Sequence, residues 1–402
     1  MPVLRMDSVH GERSLVLGQL LNRVNMGGAE NYVVLVANMH GDAGGDSQVI
    51  VLTEPGPLSG RFNKNVTVNY LGYFRQSIRN PFKFVFSLIN GYRLLSKAIK
   101  SQGIEVLQTH LPDANLWGMA MALTGQCKIV ITVHSNRFLE FDEGTSFGSF
   151  VKYYAYKLMV KKCAAVVAVS DEVRNSLLEK LKVSDKDASK VVAVNNGVLV
   201  PELFTQLQRE QTRRENFIEP EEVWLVAVGR FNKVKNFQSL VRVAANLRDR
   251  GCKFRLLIAG DGELRKDLED LCSELNLGEY ISMPGNLNCI PDILRSADIL
   301  MMPSLWEGLP LVLLEGMACG LAAVGSRTKG IADIMVDQEN GLLAEVDDVG
   351  GFADAVVFLE KNPEIRRQMG IKGRSLVIEK YSLERTYRDL CVVYSNALSV
   401  RG

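Results

Sequence analysis

The 402-residue chain has no run of about 18 apolar residues, so no helix is expected to span a bilayer. Met1 to Arg13 lacks the charged start, apolar centre and small-residue cleavage site of a secretory signal, and reads as a polar leader before the first strand. The seven cysteines form no C-x-x-C pair and are odd in number, which speaks against a zinc site or a disulfide framework. Most have apolar neighbours, as in Cys163-Ala164-Ala165-Val166, and read as buried reduced thiols of a cytosolic protein. Low-complexity tracts and coiled-coil or collagen periods are missing. No G-x-G-x-x-G follows a strand, and neither a Walker lysine motif nor H-E-x-x-H occurs.

What is present fits a folded two-domain protein. Apolar residues make up 47% and charged residues 23% of the chain. A single core stops growing at roughly 250–300 residues, so this length calls for two domains. The net charge of +1 conceals an asymmetry, because residues 1–200 hold 22 Lys/Arg against 16 Asp/Glu and residues 201–402 hold 25 against 30. The basic first half is therefore expected to meet something anionic.

Short apolar runs alternate with helical patterns along the chain. Strands are read at 14–20, 48–52, 66–71, 106–109, 128–133, 165–169 and 190–194, and helices at 29–40 and 81–101. After a polar stretch at 201–222 the alternation restarts, with strands at 223–228, 254–259, 280–283, 299–302 and 322–324 and helices at 236–250 and 263–275. Such alternation builds parallel β-α-β units. The expected fold is α/β, two doubly wound parallel-sheet halves facing across a cleft, with the ligand at the carboxyl ends of the strands. The boundaries read are 1–200, 201–380 and a last helical segment, 381–402.

Two motifs in the second half suggest anion and hydroxyl binding. Gly229-Arg230-Phe-Asn-Lys233-Val-Lys235-Asn236 follows a strand and opens onto a helix. An Arg fork and a Lys point charge beside a helix N-terminus suit a diphosphate, and a solvated basic loop is the plainer alternative. Glu307-Gly308-Leu309-Pro310-Leu311 turns into a helix that carries Glu315 among Leu313, Leu314 and Met317. A carboxylate in that company needs a partner, and ligand hydroxyls qualify.

The first half has weaker signals. Gly27-Gly28 after the first strand admits close backbone approach, although a plain strand-to-helix turn accounts for it equally well. His110 and His134, two of only four histidines, stand at strand ends, and Ser135 and Asn136 follow the second. Arg61 to Lys100 holds eight Lys/Arg and no Asp/Glu, with aromatics interleaved, and Tyr153, Tyr154, Tyr156, Lys157, Lys161 and Lys162 form a second such group. These suit an anionic membrane surface; no nucleic-acid motif accompanies them. Asp185-Lys-Asp187 lies in a charged loop and reads as surface charge rather than a metal site.

These motifs together resemble the retaining glycosyltransferases of family 4, which have the GT-B fold. The resemblance covers nearly the whole chain and is strongest from Val223 to Asp333. It rests on Gly229, Arg230 and Lys235; on the pair Glu307 and Glu315; on Gly27 and Gly28; on His134; and loosely on Asn196-Gly197-Val198. The family often has Phe where this chain has Leu309.

The resemblance implies roles. Arg230 and Lys235 would hold the donor diphosphate, Glu307 the transferred sugar and Glu315 the ribose. His134 would lie near the bond that breaks, and backbone N–H groups around Gly308, Leu309 and Leu311 would face phosphate. His134, Glu307, Arg230 and Lys235 are thus the expected catalytic group. The last helix would cross back to the first domain. The implied enzyme is a retaining hexosyltransferase moving a sugar from a nucleotide-sugar, with a UDP-sugar expected, to a glycan or polyprenyl-diphosphate-linked acceptor in polysaccharide or lipopolysaccharide synthesis. It would need no metal or cofactor, bind no nucleic acid, and work in the cytoplasm, peripherally at the inner face of the membrane. A sugar-nucleotide epimerase and a non-catalytic sugar-nucleotide-binding protein are the alternatives.

Overall fold

The computed structural model describes residues 15–399 apart from 26, 78, 136–145 and 288, with 146–151 described by their backbone alone. The leader read at Met1–Arg13 and the polar Asn136 lie outside the described residues.

The chain forms two compact units, one of residues 1–197 with 383–402 and the other of Val198–Ser382. The first unit is built on β1 (Val16–Leu21), β2 (Asp46–Val51), β3 (Val66–Tyr70), β4 (Val106–His110), β5 (Lys128–Val133), β6 (Ala165–Ala168) and β7 (Val191–Ala193). They pair in parallel in the order β3-β2-β1-β4-β5-β6-β7. All six residues of β1 are buried, as are all five of β4. Helices cover both faces of such a sheet, so its strands read as continuous apolar runs rather than as alternating ones.

The helix Leu383–Ser399 belongs to this unit. Leu383, Leu390, Val393, Tyr394 and Ala397 pack with Leu17, Tyr32 and Val36 on one face of the sheet. Three hydrogen bonds fix it: Thr386 Oγ1 donates to the Asn195 carbonyl (2.7 Å), the Tyr387 hydroxyl meets His40 Nδ1 (2.8 Å), and the Tyr394 hydroxyl donates to Gln108 Oε1 (2.5 Å).

The second unit repeats the plan with β8 (Val223–Val228), β9 (Phe254–Ala259), β10 (Ile281–Gly285), β11 (Ile299–Met302), β12 (Ala322–Ser326) and β13 (Leu342–Ala344), in the order β10-β9-β8-β11-β12-β13. Both sheets reverse direction once, between β1 and β4 and between β8 and β11. Adjacent crossovers leave in opposite directions at such a point and open a crevice at the strand ends.

All seven cysteines are free; four are buried, Cys127 and Cys391 are partly so, and Cys289 is exposed, an exception to the expected burial. Burial pushes the Cys163 thiol up to about 12, so it stays protonated and inert.

One buried carboxylate clamps the second unit. Asp298, just ahead of β11, accepts from the Trp224 backbone N–H (2.8 Å) and from Arg213 (2.8 Å) and Arg209 (2.5 Å), with Arg366 at 3.4 Å. These contacts tie the helices Gln206–Glu215 and Pro363–Leu376 to the base of the sheet. Burial alone would raise the Asp298 pKa, but the three guanidinium groups and the Trp224 N–H more than offset it, and the net shift is downward. A folded pKa below the unfolded one stabilises above the unfolded value of about 4, and that stability is lost as the pH falls through the folded pKa. Asp298→Ala leaves three clustered cations, and a loss of about 3–5 kcal/mol is expected in urea unfolding at pH 7. The variant should also lose part of the acid slope below about pH 4.

Candidate active site

The loops after β8 and β11 flank the reversal of the second sheet and are joined to each other. Asn232 Oδ1 accepts from the Lys235 N–H (3.1 Å) and folds Lys233–Lys235 into a single 3-10 turn. Asn236 then takes a left-handed conformation (φ 53°), from which the helix Phe237–Asp249 departs. Its Nδ2 donates to the Pro303 carbonyl (3.2 Å) and to Asp347 Oδ1 (2.8 Å). The Leu305 N–H donates to the Val234 carbonyl at 2.8 Å.

This joining brings Lys235 and Glu307 together. Lys235 Nζ lies 2.7 Å from Glu307 Oε1, and Ser304 Oγ donates to the same oxygen at 2.7 Å. The pair is largely enclosed, with 20% of the Lys235 side chain and 12% of the Glu307 side chain exposed. Two glycines make room for it. A Cβ on Gly229 would sit 3.1 Å from Lys235 Cε, so the lysine stem lies across the glycine. A Cβ on Gly330 would come within 2.3 Å of the Glu307 carbonyl oxygen, so only glycine lets the 307–308 backbone rest there.

The helix Leu311–Ala318 begins at Pro310, and no side chain caps its N-terminus. Gly308, Leu309 and Leu311 surround that end, where unbonded N–H groups and the helix dipole favour an anion. Glu315 is half-buried further along the helix, between buried Leu314 and Gly316. Arg230 shares the loop of Lys235 but points outward: its side chain is 72% exposed and lies 3.8 Å from Glu263, itself 62% exposed. The structure therefore brings Gly229, Lys235 and Glu307 into one contact, with Arg230 and Glu315 on the same two segments.

Gly27, Gly28 and His134 are in the first unit. Gly27 is the N-cap of the helix Gly28–Asp42. A Cβ on Gly27 would lie 2.3 Å from Glu30 Oε2. His134 follows β5 and is bonded to His110 at the end of β4, with 3.1 Å between His134 Nε2 and His110 Nδ1.

The hydrogen bonds beneath this pair set its tautomers. His110 Nε2 lies 2.6 Å from Gln19 Oε1, an oxygen that can only accept, so His110 carries its proton on Nε2. Gln19 Nε2 donates to Gln108 Oε1 (3.1 Å), and Gln108 Nε2 donates to Thr132 Oγ1 (2.8 Å). His110 is fully buried; loss of water, and then repulsion from His134, hold its pKa well below the usual histidine value. It is neutral, and its bare Nδ1 must accept from His134 Nε2–H. His134 therefore presents an unprotonated Nδ1. Burial pushes the His134 pKa down to about 4, and Tyr32 meets the two rings edge-on at 6.1 and 5.9 Å.

His110 is visible in the sequence as a strand-end histidine, but its position beneath His134 is not, and Gln19, Gln108, Ser304 and Gly330 join the site only in the structure. Ser304, two residues past a strand in a Glu-bearing turn, left a readable trace. The others depend on strand register and on backbone contacts across the sheet.

Two parallel-sheet units, each with one reversal of strand order, are the architecture of the GT-B fold. Residues 208–376 match the family model described as glycosyl transferases group 1, and residues 26–199 match that of Glycosyltransferase Family 4. The chain belongs to family 4 of the glycosyltransferases.

Relatives align over most of the chain, and a solved structure shares its fold. N-acetyl-alpha-D-glucosaminyl L-malate synthase of Bacillus anthracis is 27% identical over 76% of this chain and 78% of its own length. The UDP-Gal:alpha-D-GlcNAc-diphosphoundecaprenol alpha-1,3-galactosyltransferase of Escherichia coli is 26% identical over 85% of this chain and 89% of its own. The crystal structure of Anabaena HepE with UDP and glucose superimposes with a TM-score of 0.77 over 95% of this chain and 99% of that one, at 14% identity.

Nitrogen-15 NMR checks the tautomer chain. His134 should show protonated Nε2 and bare Nδ1 from pH 8 down to about 5, and titrate near 4. A ring that is cationic above about pH 6, or protonated on Nδ1, contradicts the assignment.

Proposed function

We propose that this glycosyltransferase takes a sugar from a UDP-sugar and passes it, with retention at the anomeric carbon, to a glycan or lipid-diphosphate-linked acceptor of a cell-surface polysaccharide. The contact of Lys235 with Glu307 carries the reading. It places a cation and a carboxylate 2.7 Å apart, and a nucleotide-sugar presents a phosphate and sugar hydroxyls separated by one glycosidic link. The HepE crystal structure is a complex with UDP and glucose, and the E. coli relative is named for a UDP-sugar donor and a lipid-diphosphate acceptor.

The roles follow from charge. As the anomeric C–O bond breaks, its electron pair passes to the departing diphosphate. Lys235, Arg230 and the N–H groups around Gly308, Leu309 and Leu311 are suited to balance that charge, usually the largest single contribution to catalysis. Gly229 keeps Lys235 in place. Glu307, with Oε1 engaged by Lys235 and Ser304, would accept from a sugar hydroxyl on Oε2; Glu315 would accept from the ribose. The neutral His134 would meet the donor sugar through Nδ1, and Gly27 and Gly28 would let the protein backbone come close to the ligand. The acceptor hydroxyl attacks the face the diphosphate leaves, and its proton passes to a departing phosphate oxygen. These cations supply the counter-charge a metal would give, so the reading uses no metal and no cofactor.

Neither the epimerase nor the non-catalytic reading gains support: the relatives are named as transferases or as a synthase. No helix among the described residues is long and apolar enough to cross a membrane. Peripheral contact at the cytoplasmic face is part of the proposal, supported by the basic stretch from Arg61 to Lys100.

Release of UDP on addition of acceptor tests the reaction. Arg230→Ala and Glu307→Ala should each lower kcat by about 100- to 1,000-fold. Activity within about tenfold of wild type in both would sink the assignment of roles. A donor sugar that changes identity without acceptor would turn the reading to epimerisation.

A further inference from the structure

The first unit has its own opening at the reversal between β1 and β4, a cavity of about 690 Å³. Loops after β1, β2 and β3 line it, together with the helices Pro81–Ser101 and Leu111–Ala122. Its size is that of a site for a small organic ligand, and nothing in the donor chemistry above occupies it.

Three features define what it would take. The first is an aromatic wall: Tyr73 and Trp117 pack edge-on, with ring centres 5.5 Å apart. A Cβ on Gly91 would lie 2.8 Å from both rings, so glycine is what lets the Pro81–Ser101 helix close over them. Tyr73 is 6% exposed, and its hydroxyl has no hydrogen-bond partner among the described residues.

The second is charge. Arg23, Arg75 and Arg93 converge on the cavity from three different segments, against one carboxylate, Asp113. Asp113 is already held by Asn22 (3.2 Å) and Arg75 (3.7 Å). Neither Arg23 nor Arg93 has an ion-pair partner among the described residues.

The third is an apolar strip that leads inward. Phe82, Val85, Phe86 and Ile89 recur at helical spacing on the Pro81–Ser101 helix and are 90%, 53%, 70% and 46% exposed. Ile89 is also part of the cavity lining, and Arg93 follows one turn later on the same face. A sugar alone would leave that strip unused, and a free anion would leave both the strip and the aromatic wall unused. A molecule with an anionic head and a long apolar chain uses all three.

We infer that this cavity binds the acceptor as a lipid phosphate or diphosphate, with the anionic head among Arg23, Arg75 and Arg93 and the chain running from the Tyr73–Trp117 wall out along Ile89, Phe86 and Phe82. This deepens the proposed transfer reaction and rests on it for the word acceptor. Arginines at the mouth of the cavity can grip one phosphate bidentately, which fixes the head while the chain stays adaptable.

Calorimetry on the full-length protein tests it, with farnesyl diphosphate as probe below its micelle concentration and inorganic pyrophosphate and farnesol as controls. Farnesyl diphosphate should bind at least about tenfold tighter than either control. R93Q should weaken the probe by about tenfold or more, and I89D should weaken it similarly while leaving pyrophosphate unchanged. Both variants should keep the wild-type melting temperature and the wild-type affinity for UDP. Probe binding unaltered in both variants would overturn the site. So would binding of the two variants to anionic vesicles without isoprenoid that falls as much as their binding to the probe, since the surface would then be a general membrane contact. UDP binding separates the two claims: its absence in wild type defeats the donor reading, whereas normal UDP binding with no probe binding defeats only the acceptor site.

Discussion

The contact between Lys235 and Glu307 depends on a reversal of strand order. β8 and β11 are neighbours in the sheet although β9 and β10 separate them in the chain. Their outgoing loops therefore meet, and the backbone bond from Leu305 to Val234 and the amide of Asn236 on Pro303 hold them together. A lysine and a glutamate 72 residues apart can then share one enclosed contact. Enclosure matters because the same charges at an exposed surface would be worth little, whereas here they interact in a medium poorer than water. Gly229 and Gly330 belong to the same constraint, since each leaves out a side chain that the contact has no room for.

The first unit solves a different problem. Among the described residues a chain of neutral hydrogen bonds runs at its strand ends from Tyr394 and Gln108 through Gln19 to His110 and His134. A buried network of this kind is costly unless every member is satisfied, and satisfaction leaves one arrangement of protons. Its product is a histidine that is neutral and oriented. The C-terminal helix Leu383–Ser399 takes part through Tyr394, so the last stretch of the chain helps to set the polarity at the end of β5.

The fold was legible because parallel strands covered on both faces write themselves as apolar runs. Val223–Val228 and Phe254–Ala259 were read to the residue, and 236–250 against the observed Phe237–Asp249 shows the usual fraying at helix ends. β1 was read two residues early and β10 stopped short, because a pairing partner rather than hydropathy decides where a strand ends. Lys235 was legible as part of a basic run between a strand and a helix, and Glu307 as a charge in a largely apolar strand-turn-helix segment. Their contact was not, nor was Gly330 or the Gln19–His110 support, since register and backbone approach leave no local pattern. The cavity beside Trp117 was visible only as a basic, aromatic stretch until five chain segments closed around it.

The central claim is that Lys235 grips phosphate and Glu307 grips sugar. Titration of UDP and of the matching UDP-sugar into wild type, E307Q and K235M by calorimetry separates the two grips. E307Q should weaken the UDP-sugar by about tenfold or more without weakening UDP, and K235M should weaken both. Loss of UDP and UDP-sugar affinity to the same degree in E307Q, or undiminished UDP affinity in K235M, would contradict the account.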